Sequence, residues 1–282
     1  MKSILDKINT EYKNFTPSQQ KLAHYFFRHQ EDALILNSNQ IANKVKVSEA
    51  TVTRFITVLG FSGFSEFKRE IGKQIVKKFS TTNRLTESVN TFDERNSVFA
   101  EILKGDIENI QTLTKNISDA DFMEAVEILC SARSIYILGL RASYSLAFYL
   151  KFYLRFFLNS VKLITLGVDD VAEQVHHIGE GDVLVAICFK RYTREVLNIT
   201  EKIKKRGTFV LAITDIQLSP IAQLADLSLI AGTKIPTYIE SFSAPMSLIG
   251  ALIGAIAIKK KKKALPALNK LEIEFKEFET FL

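Results

Sequence analysis

The stretch VLVAICFKRYTRE, Val183 to Glu195, decides how the chain folds. Seven apolar residues run without a polar break and then give way to Lys190, Arg191 and Thr193. A strand with one wet face alternates apolar and polar side chains, whereas a strand covered on both faces stays apolar throughout. The run is therefore expected to be a strand of a parallel sheet with helices on both sides. In such a sheet ligands gather beyond the carboxyl ends of the strands, which is where the two cations and the hydroxyl lie. Two readings of them stay open at this point: an anion site, or surface and interface cations paired with Glu195 or Glu240.

Four further runs share this character: SIYILGL (134–140), VKLITLG (161–167), FVLAITD (209–215) and LSLIAG (227–232). Helical patterns separate them, so residues 97–282 are expected to form an α/β domain, a five-stranded parallel sheet flanked by helices. Two helices lead into it, about 97–116 and 119–130; Ser118 can cap the second, with Asp119 and Asp121 in its first turn. The helix after the first strand, ASYSLAFYLKFYLRFFL (142–158), is apolar nearly all round. One sheet face cannot cover it. Its far side is read as buried against another subunit of a homodimer or tetramer, with cover by the two preceding helices as the alternative.

Composition narrows the class. Across 282 residues, 47% hydrophobic and 24% charged content fits an ordinary globular protein with room for two domains. Cys130 and Cys188 lie in apolar runs with no second thiol or histidine at metal-binding spacing; they are read as reduced core residues of a cytosolic protein, with no metal or cofactor expected. The charged, amphipathic start MKSILDKINTEYKN is not a signal peptide. The uncharged run from Ser241 to Ile258 approaches the length of about 20 residues needed to span a bilayer. Ser241, Ser243, Pro245 and Ser247 at one end and Lys259–Lys263 at the other fit a helix buried against a sheet, so no membrane association is expected. His176-His177 is read as a surface pair at a helix end.

Charge is unevenly spread. Residues 1–85 hold 14 Lys+Arg against 7 Asp+Glu, a net +7, which leaves 23 against 24, or −1, for the remainder. A basic third on a near-neutral body points to a polyanionic partner. That third reads as all-α. Thr16-Pro17-Ser18-Gln19 is a capping box with proline at the first helical position, and no strand pattern precedes residue 130. The polar, aperiodic STTNRLTESVNTFDERN (80–96) is taken as a linker between domains at 1–79 and 97–282. Within the first domain, NSNQIANKVKVSEATVTRFITVLGF is laid out as a helix-turn-helix. Ile41 and Val45 face inward from its first helix, Val47 sits in the turn, and Val52, Phe55, Ile56 and Leu59 form the stripe of the second. Ser48 is placed to cap that second helix. Glu49, Ala50, Thr53, Arg54 and Thr57 then point outward near its start, the positions that reach base edges in a major groove, and Thr51 is placed to bond a phosphate. A three-helix interaction module with the same packing is the competing reading.

The segment SEATVTRFITVLGFSGFSEFK resembles the N-terminal domain of RpiR-type bacterial transcription regulators, whose motif reads roughly S-x-A-T-V-x-R-F-x-x-x-L-G-F-x-G-F-x-E-F-K. The match covers Ser48, Ala50, Thr51, Val52, Arg54, Phe55, Leu59, Gly60, Phe61, Gly63, Phe64, Glu66, Phe67 and Lys68. Lys46 departs from it, since the family commonly has glycine in the turn. The resemblance implies double-stranded DNA as partner, read as an inverted-repeat operator. It also implies a sugar isomerase (SIS) domain after the linker, which residues 97–282 resemble in length and element order. In that domain two loops cradle a phosphorylated sugar, one reading G-x-G-x-S and the other S-x-S-G-x-S/T. The first is here Gly139-Leu140-Arg141-Ala142-Ser143 and the second Cys188-Phe189-Lys190-Arg191-Tyr192-Thr193; cations replace small residues in both. The TDIQLSPIAQLAD pattern closing the fourth strand also matches, and it speaks for the fold. Arg141, Lys190 and Arg191 can still hold an anion, a phosphate or a carboxylate, with Thr193 and Glu240 beside them.

The expected function is thus a regulator of carbohydrate metabolism whose operator binding responds to a phosphorylated sugar or related anion. Two other classes remain at this stage. An aldose–ketose isomerase would need a base, with Glu240 or His176 the candidates, and a ligand-blind scaffold would use Arg141 and Lys190 only at interfaces.

Overall fold

Side-chain caps start helices where the sequence signals them. Thr16 and Gln19 form the reciprocal capping box at the start of α2 (Pro17–Arg28), and Asn37 with Gln40 forms a second at α4 (Ser38–Val45). Ser48 accepts from the Thr51 amide at α5 (Glu49–Val58), and Ser118 from the Asp121 amide at α9 (Asp119–Ser131). The computed structural model describes residues 4–29, 32–78, 81–92, 97–167, 170–217 and 219–281. By internal contacts the chain divides into two units, Met1–Asp93 and Glu94–Leu282.

Among its described residues the first unit holds helices joined by short turns, with no strand. α1 (Ile4–Glu11) and a short 3-10 turn precede α2; α3 (Asp32–Ile35) leads into α4 and α5; α6 (Phe64–Lys78) and α7 (Thr81–Thr91) complete it. Its core is aromatic. Phe26, Phe55 and Phe67 are fully buried, with Phe26 edge-on to Phe67 at 5.1 Å and stacked on Phe55 at 6.0 Å. Residues 81–91 correct the expectation of an irregular connection there. They are helical, yet Leu85 and Val89 on α7 stay exposed, so no buried stripe marks the helix in the sequence.

In the second unit, α8 (Val98–Asn116) and α9 lead to a sheet of five parallel strands: β1 (Ile135–Gly139), β2 (Val161–Ile164), β3 (Val183–Ile187), β4 (Phe209–Thr214) and β5 (Leu227–Ile230), in the order β2-β1-β3-β4-β5. Between them run α10 (Ser143–Leu154), α11 (Val171–Gln174), α12 (Arg194–Lys204) and α13 (Pro220–Leu224), and α14 (Ser243–Lys259) and α15 (Lys261–Glu277) follow. Every residue of β1 and β3 is buried. Alternate side chains serve opposite faces: Ile135, Ile137, Val183, Val185 and Ile187 join one core with α9, α10 and α14, while Tyr136, Leu138, Leu184 and Ala186 join another with α12 and α13. The uncharged run after Ser241 is α14, packed into the first of these cores. No single described helix is long and apolar enough to cross a membrane. On α10, Tyr144, Phe148 and Tyr153 remain 39–47% exposed, so neither sheet nor preceding helices cover that side within the chain.

At the amino ends of β1 and β3 sits a two-pronged ion pair. Arg133 donates from Nε and a terminal nitrogen to the two carboxylate oxygens of Asp182, at 2.9 and 2.6 Å. Asp182 also accepts from the Gly179 amide at 3.1 Å. Burial acts to raise the Asp182 carboxyl, but these bonds outweigh it and hold the group below the usual carboxylate range. Asp182→Ala is expected to lower the stability of this unit by about 1 kcal/mol at neutral pH, because the strand starts lose their tie while the exposed Arg133 side chain is taken up by water. Because the folded-state value is depressed, the wild-type advantage is present above the unfolded carboxylate range and fades as pH falls through the lower folded one. Paired thermal melts at pH 7 and pH 3 check both the size and the sign.

Candidate functional site

The helix-turn-helix geometry comes from α4 and α5. Ile41, Ala42, Val52, Phe55 and Ile56 are buried between and beneath them. In the turn, Lys46 has φ 58° and ψ 52°, a left-handed conformation in which its amide and that of Val47 close on the last carbonyls of α4. A lysine there costs on the order of 1 kcal/mol relative to glycine. Glu49, Ala50, Thr53, Arg54 and Thr57 are all exposed on one side of α5, as the spacing predicts. The four polar side chains among them already have intramolecular partners. Glu49 accepts from Ser38, Arg54 Nε donates to the Ala50 carbonyl at 3.2 Å, and Thr53 and Thr57 donate to carbonyls one turn back. Thr51 is partly buried with its hydroxyl 2.8 Å from that of Ser48, at the capped end of the helix.

In the second unit, a cavity of about 490 Å³ opens at the carboxyl ends of β1 and β3. Gly139 and Ile187, the last residues of these strands, are register partners, so the two following loops leave the sheet at one level. Arg141 and Ser143 line the cavity from the first loop, Lys190, Arg191 and Thr193 from the second, and Glu240 from the segment before α14. Six of the seven residues expected at an effector site therefore meet around one space. Gly139 does not line it. A Cβ there would stand 2.6 Å from the Ser143 carbonyl oxygen and 3.0 Å from Ala147 Cβ, so this glycine lets α10 begin directly against β1. Glu240 does not follow β5 immediately: ten residues beyond the strand end, it reaches the cavity on a long connection, and the Ser243 amide at the start of α14 donates to the Ser241 hydroxyl at 3.2 Å.

The backbone of both loops is strained at a cation. Arg141 has φ 57° and Arg191 φ 66°, in the region that favours glycine. These are the positions where the small-residue loops of the resembling family have glycine. Ordinary residues held there cost on the order of 1 kcal/mol each.

Sequence reasoning missed several residues around the cavity. Tyr192 and Arg194 also line it. The Tyr192 hydroxyl donates to Asp215 Oδ1 at 2.8 Å, and Thr214 donates to the same oxygen at 3.2 Å. Burial pushes the Asp215 carboxyl up, opposed by the bond from Tyr192. Cys188 at the loop base is buried, and its thiol is pushed up to about 11, which makes it an inert wall rather than a nucleophile. His176 lies outside the lining, exposed, 2.6 Å from the Glu173 carbonyl oxygen. No group of three or more potential metal ligands occurs among the described residues.

The connection carrying Glu240 is bound to α8. Asp106 accepts from the hydroxyls of Ser241 and Ser243, at 2.5 and 2.7 Å, and Asn109 donates to the Lys234 carbonyl at 2.9 Å. Gly105 packs against Ile235, where a Cβ would be 3.1 Å from the isoleucine methyl. Contacts spanning 125 to 137 residues have no local sequence signal.

A capped recognition-type helix thus stands in one unit and a strand-end cavity in the other. Residues 2–78 match the helix-turn-helix domain of the rpiR family, and residues 128–255 match the SIS domain. The chain belongs to the RpiR-type regulators, with an N-terminal helix-turn-helix and a C-terminal SIS domain. It is 27% identical over 239 residues to an uncharacterized HTH-type transcriptional regulator of Haemophilus influenzae, covering 82% of this chain and 81% of that one. It is 25% identical over 267 residues to another from Caldanaerobacter subterraneus subsp. tengcongensis, covering 92% of each. Among solved structures it shares its fold with Vibrio vulnificus NanR complexed with ManNAc-6P, at TM-score 0.64 and 18% identity, over 96% of this chain and 97% of that one. The sugar isomerase domain of an RpiR transcription factor from Sphaerobacter thermophilus aligns at TM-score 0.60 and 22% identity, over 63% of this chain and 99% of that one.

Gly139→Ala is expected to destabilise the second unit by about 2 kcal/mol, because the added methyl meets backbone that cannot yield without shifting α10. Urea unfolding of the variant measures the loss.

Proposed function

We propose that this regulator binds an inverted-repeat operator as a dimer or tetramer and that a phosphorylated sugar or related anion in the strand-end cavity modulates that binding. The observation that carries the reading is the convergence of Arg141, Lys190 and Arg191 on one cavity at adjoining strand ends. Starts of α10 and α12 beside the same space add outward-facing amides and the favourable end of each helix dipole. The bound ManNAc-6P of the NanR structure supports a phosphorylated sugar. On the DNA side, Glu49, Ala50, Thr53, Arg54 and Thr57 read base edges, while Ser48 and Thr51 at the capped helix start face the phosphates. The exposed aromatic side of α10 is assigned to self-association, since Tyr144, Phe148 and Tyr153 find no cover within the chain.

The cavity is assigned to binding rather than turnover. The curated relatives of similar length are named as regulators, and among the described residues Glu240 is the one carboxylate in the lining, with His176 outside it. Turnover of a sugar phosphate, lost in Glu240→Gln, would reverse this assignment.

Ligand information has a route out of the cavity. Glu240 and Phe242 line it, and the flanking Ser241 and Ser243 are bonded to Asp106 on α8, the first described helix after the DNA-binding unit in the chain. A ligand acts only through unequal affinity for two states, and this clamp is the element proposed to differ between them.

Two measurements test the proposal. In gel-shift assays with the DNA upstream of its own coding region, Arg54→Ala is expected to weaken specific binding about tenfold while salt-dependent non-specific binding persists; unchanged specific affinity removes α5 from base recognition. In the same assay, Asp106→Ala is expected to bind the phosphorylated sugar that most stabilises the wild type within about threefold of normal. Its effect on operator affinity, ordinarily about 5- to 150-fold for such coupling, should fall below about threefold. An undiminished response would show that the clamp does not transmit.

A further inference from the structure

The cavity between the β1 and β3 loops has a neighbour. A second cavity, of about 440 Å³, lies beside the ends of β1 and β2 and shares Leu140, Arg141 and Thr193 with the first. Neither is enclosed, so the two meet along that common wall. Sites for small ligands measure about 300–1,000 Å³. Each cavity falls within that range alone, and the pair has room for a ligand longer than one sugar ring.

Their chemistry differs. Lys190, Arg191 and Arg194 line only the first cavity, whereas Glu195, in the first turn of α12, lines only the second. Among the described residues no ion pair engages Glu195. A carboxylate repels a phosphate placed beside it, and it accepts hydrogen bonds without donating any. The second cavity therefore disfavours an anionic group and suits one that brings hydroxyl donors. The rest of its lining is apolar or weakly polar. Tyr144 stands at the start of α10 with its ring stacked on Phe148 at 6.3 Å, and Leu140 and Leu166 add aliphatic surface. Thr165 is held in place by the Gln174 side chain, which accepts from its amide at 2.9 Å and donates to its carbonyl at 2.8 Å. A sugar ring has C–H faces that pack on an aromatic ring and an edge of hydroxyls that a carboxylate and a threonine can bond, so this lining matches it on both counts.

We infer that the effector is a phosphorylated disaccharide, with its phosphate in the first cavity and a second, uncharged sugar ring in the adjoining one, beside Tyr144 and Glu195. This rests on the first cavity being the effector site. Arg141 and Thr193, on the shared wall, then flank the link between the rings.

The test is calorimetric binding by the full chain to pairs that share the phosphorylated ring: glucose 6-phosphate with trehalose 6-phosphate, glucose 6-phosphate with cellobiose 6′-phosphate, and fructose 6-phosphate with sucrose phosphorylated on the fructose ring. Glucosamine 6-phosphate accompanies them. In at least one pair the disaccharide should bind about tenfold or more tightly than the monosaccharide. Tyr144 also belongs to the side of α10 assigned to self-association, so the variants avoid it. Leu166→Trp fills the second cavity from an exposed position, and Glu195→Ala removes the carboxylate from another. Each should reduce the preference to below about threefold while leaving monosaccharide affinity within about threefold. Thermal melts matching the wild type exclude unfolding as the cause. Equal binding of both members of every bound pair overturns the inference and leaves the effector-site reading standing. A preference that survives both variants, or an equal loss of both members, does the same. Glucosamine 6-phosphate bound more tightly than every disaccharide also overturns it, because Glu195 would then take an ammonium group. Absence of binding by every phosphorylated probe overturns the inference and the effector-site reading together.

Discussion

Strands β1 and β3 are covered on both faces, and that single constraint organises the ligand-binding unit. No residue within either strand can carry charge, so polar chemistry is pushed to the two ends of the sheet. Because the strands are neighbours in register, the ends coincide. At the amino side the adjacency brings Arg133 to Asp182 and ties the strand starts together. At the carboxyl side it brings two cation-bearing loops to one cavity. At the amino ends of the strands the charges close into a pair; at the carboxyl ends Arg141, Lys190, Arg191 and Glu240 line an open cavity.

Backbone strain links the two units in kind. Lys46, Arg141 and Arg191 all occupy left-handed positions that glycine would adopt freely, and each stands in a turn next to a proposed contact surface. In the helix-turn-helix the turn angle between α4 and α5 is set by capping bonds to the end of α4, which hold Lys46 in place despite its Cβ. In the cavity loops the same backbone shape is filled by guanidiniums. A glycine loop binds an anion through amides alone, whereas these loops add charge and a fixed donor geometry, at a stability cost the buried sheet can offset.

Much of this was readable in advance because it is local. Capping at Thr16, Ser48 and Ser118 depends on residues three apart, and each cap forms as the spacing predicts. Unbroken apolar runs marked β1 and β3, where burial on two faces leaves no polar residue to confuse the pattern. The outer strands β2 and β5 carry Lys162 and Ser228 and were legible from their remaining apolar residues. α7 escaped because a helix with no buried stripe has no period to detect, and Leu85 and Val89 alone cannot establish one. Gly139 is expected among the ligand contacts but lies outside the described lining and lets α10 approach β1, because a missing Cβ looks the same in sequence whether it makes room for a ligand or for a helix.

The sequence by itself determined the five strands and most of the helices, the caps at Thr16, Ser48 and Ser118, the outward face of α5 and the presence of cations just past two strand ends. Only the tertiary structure decided that β1 and β3 lie side by side, which turns three separate cations into one site. It also decided that Glu240 returns to that site from ten residues beyond β5, and that Ser241 and Ser243 reach Asp106 more than a hundred residues earlier. Strand order and long-range hydrogen bonds arise from the packing of whole layers, in which each segment contributes only a face, so no segment carries them alone.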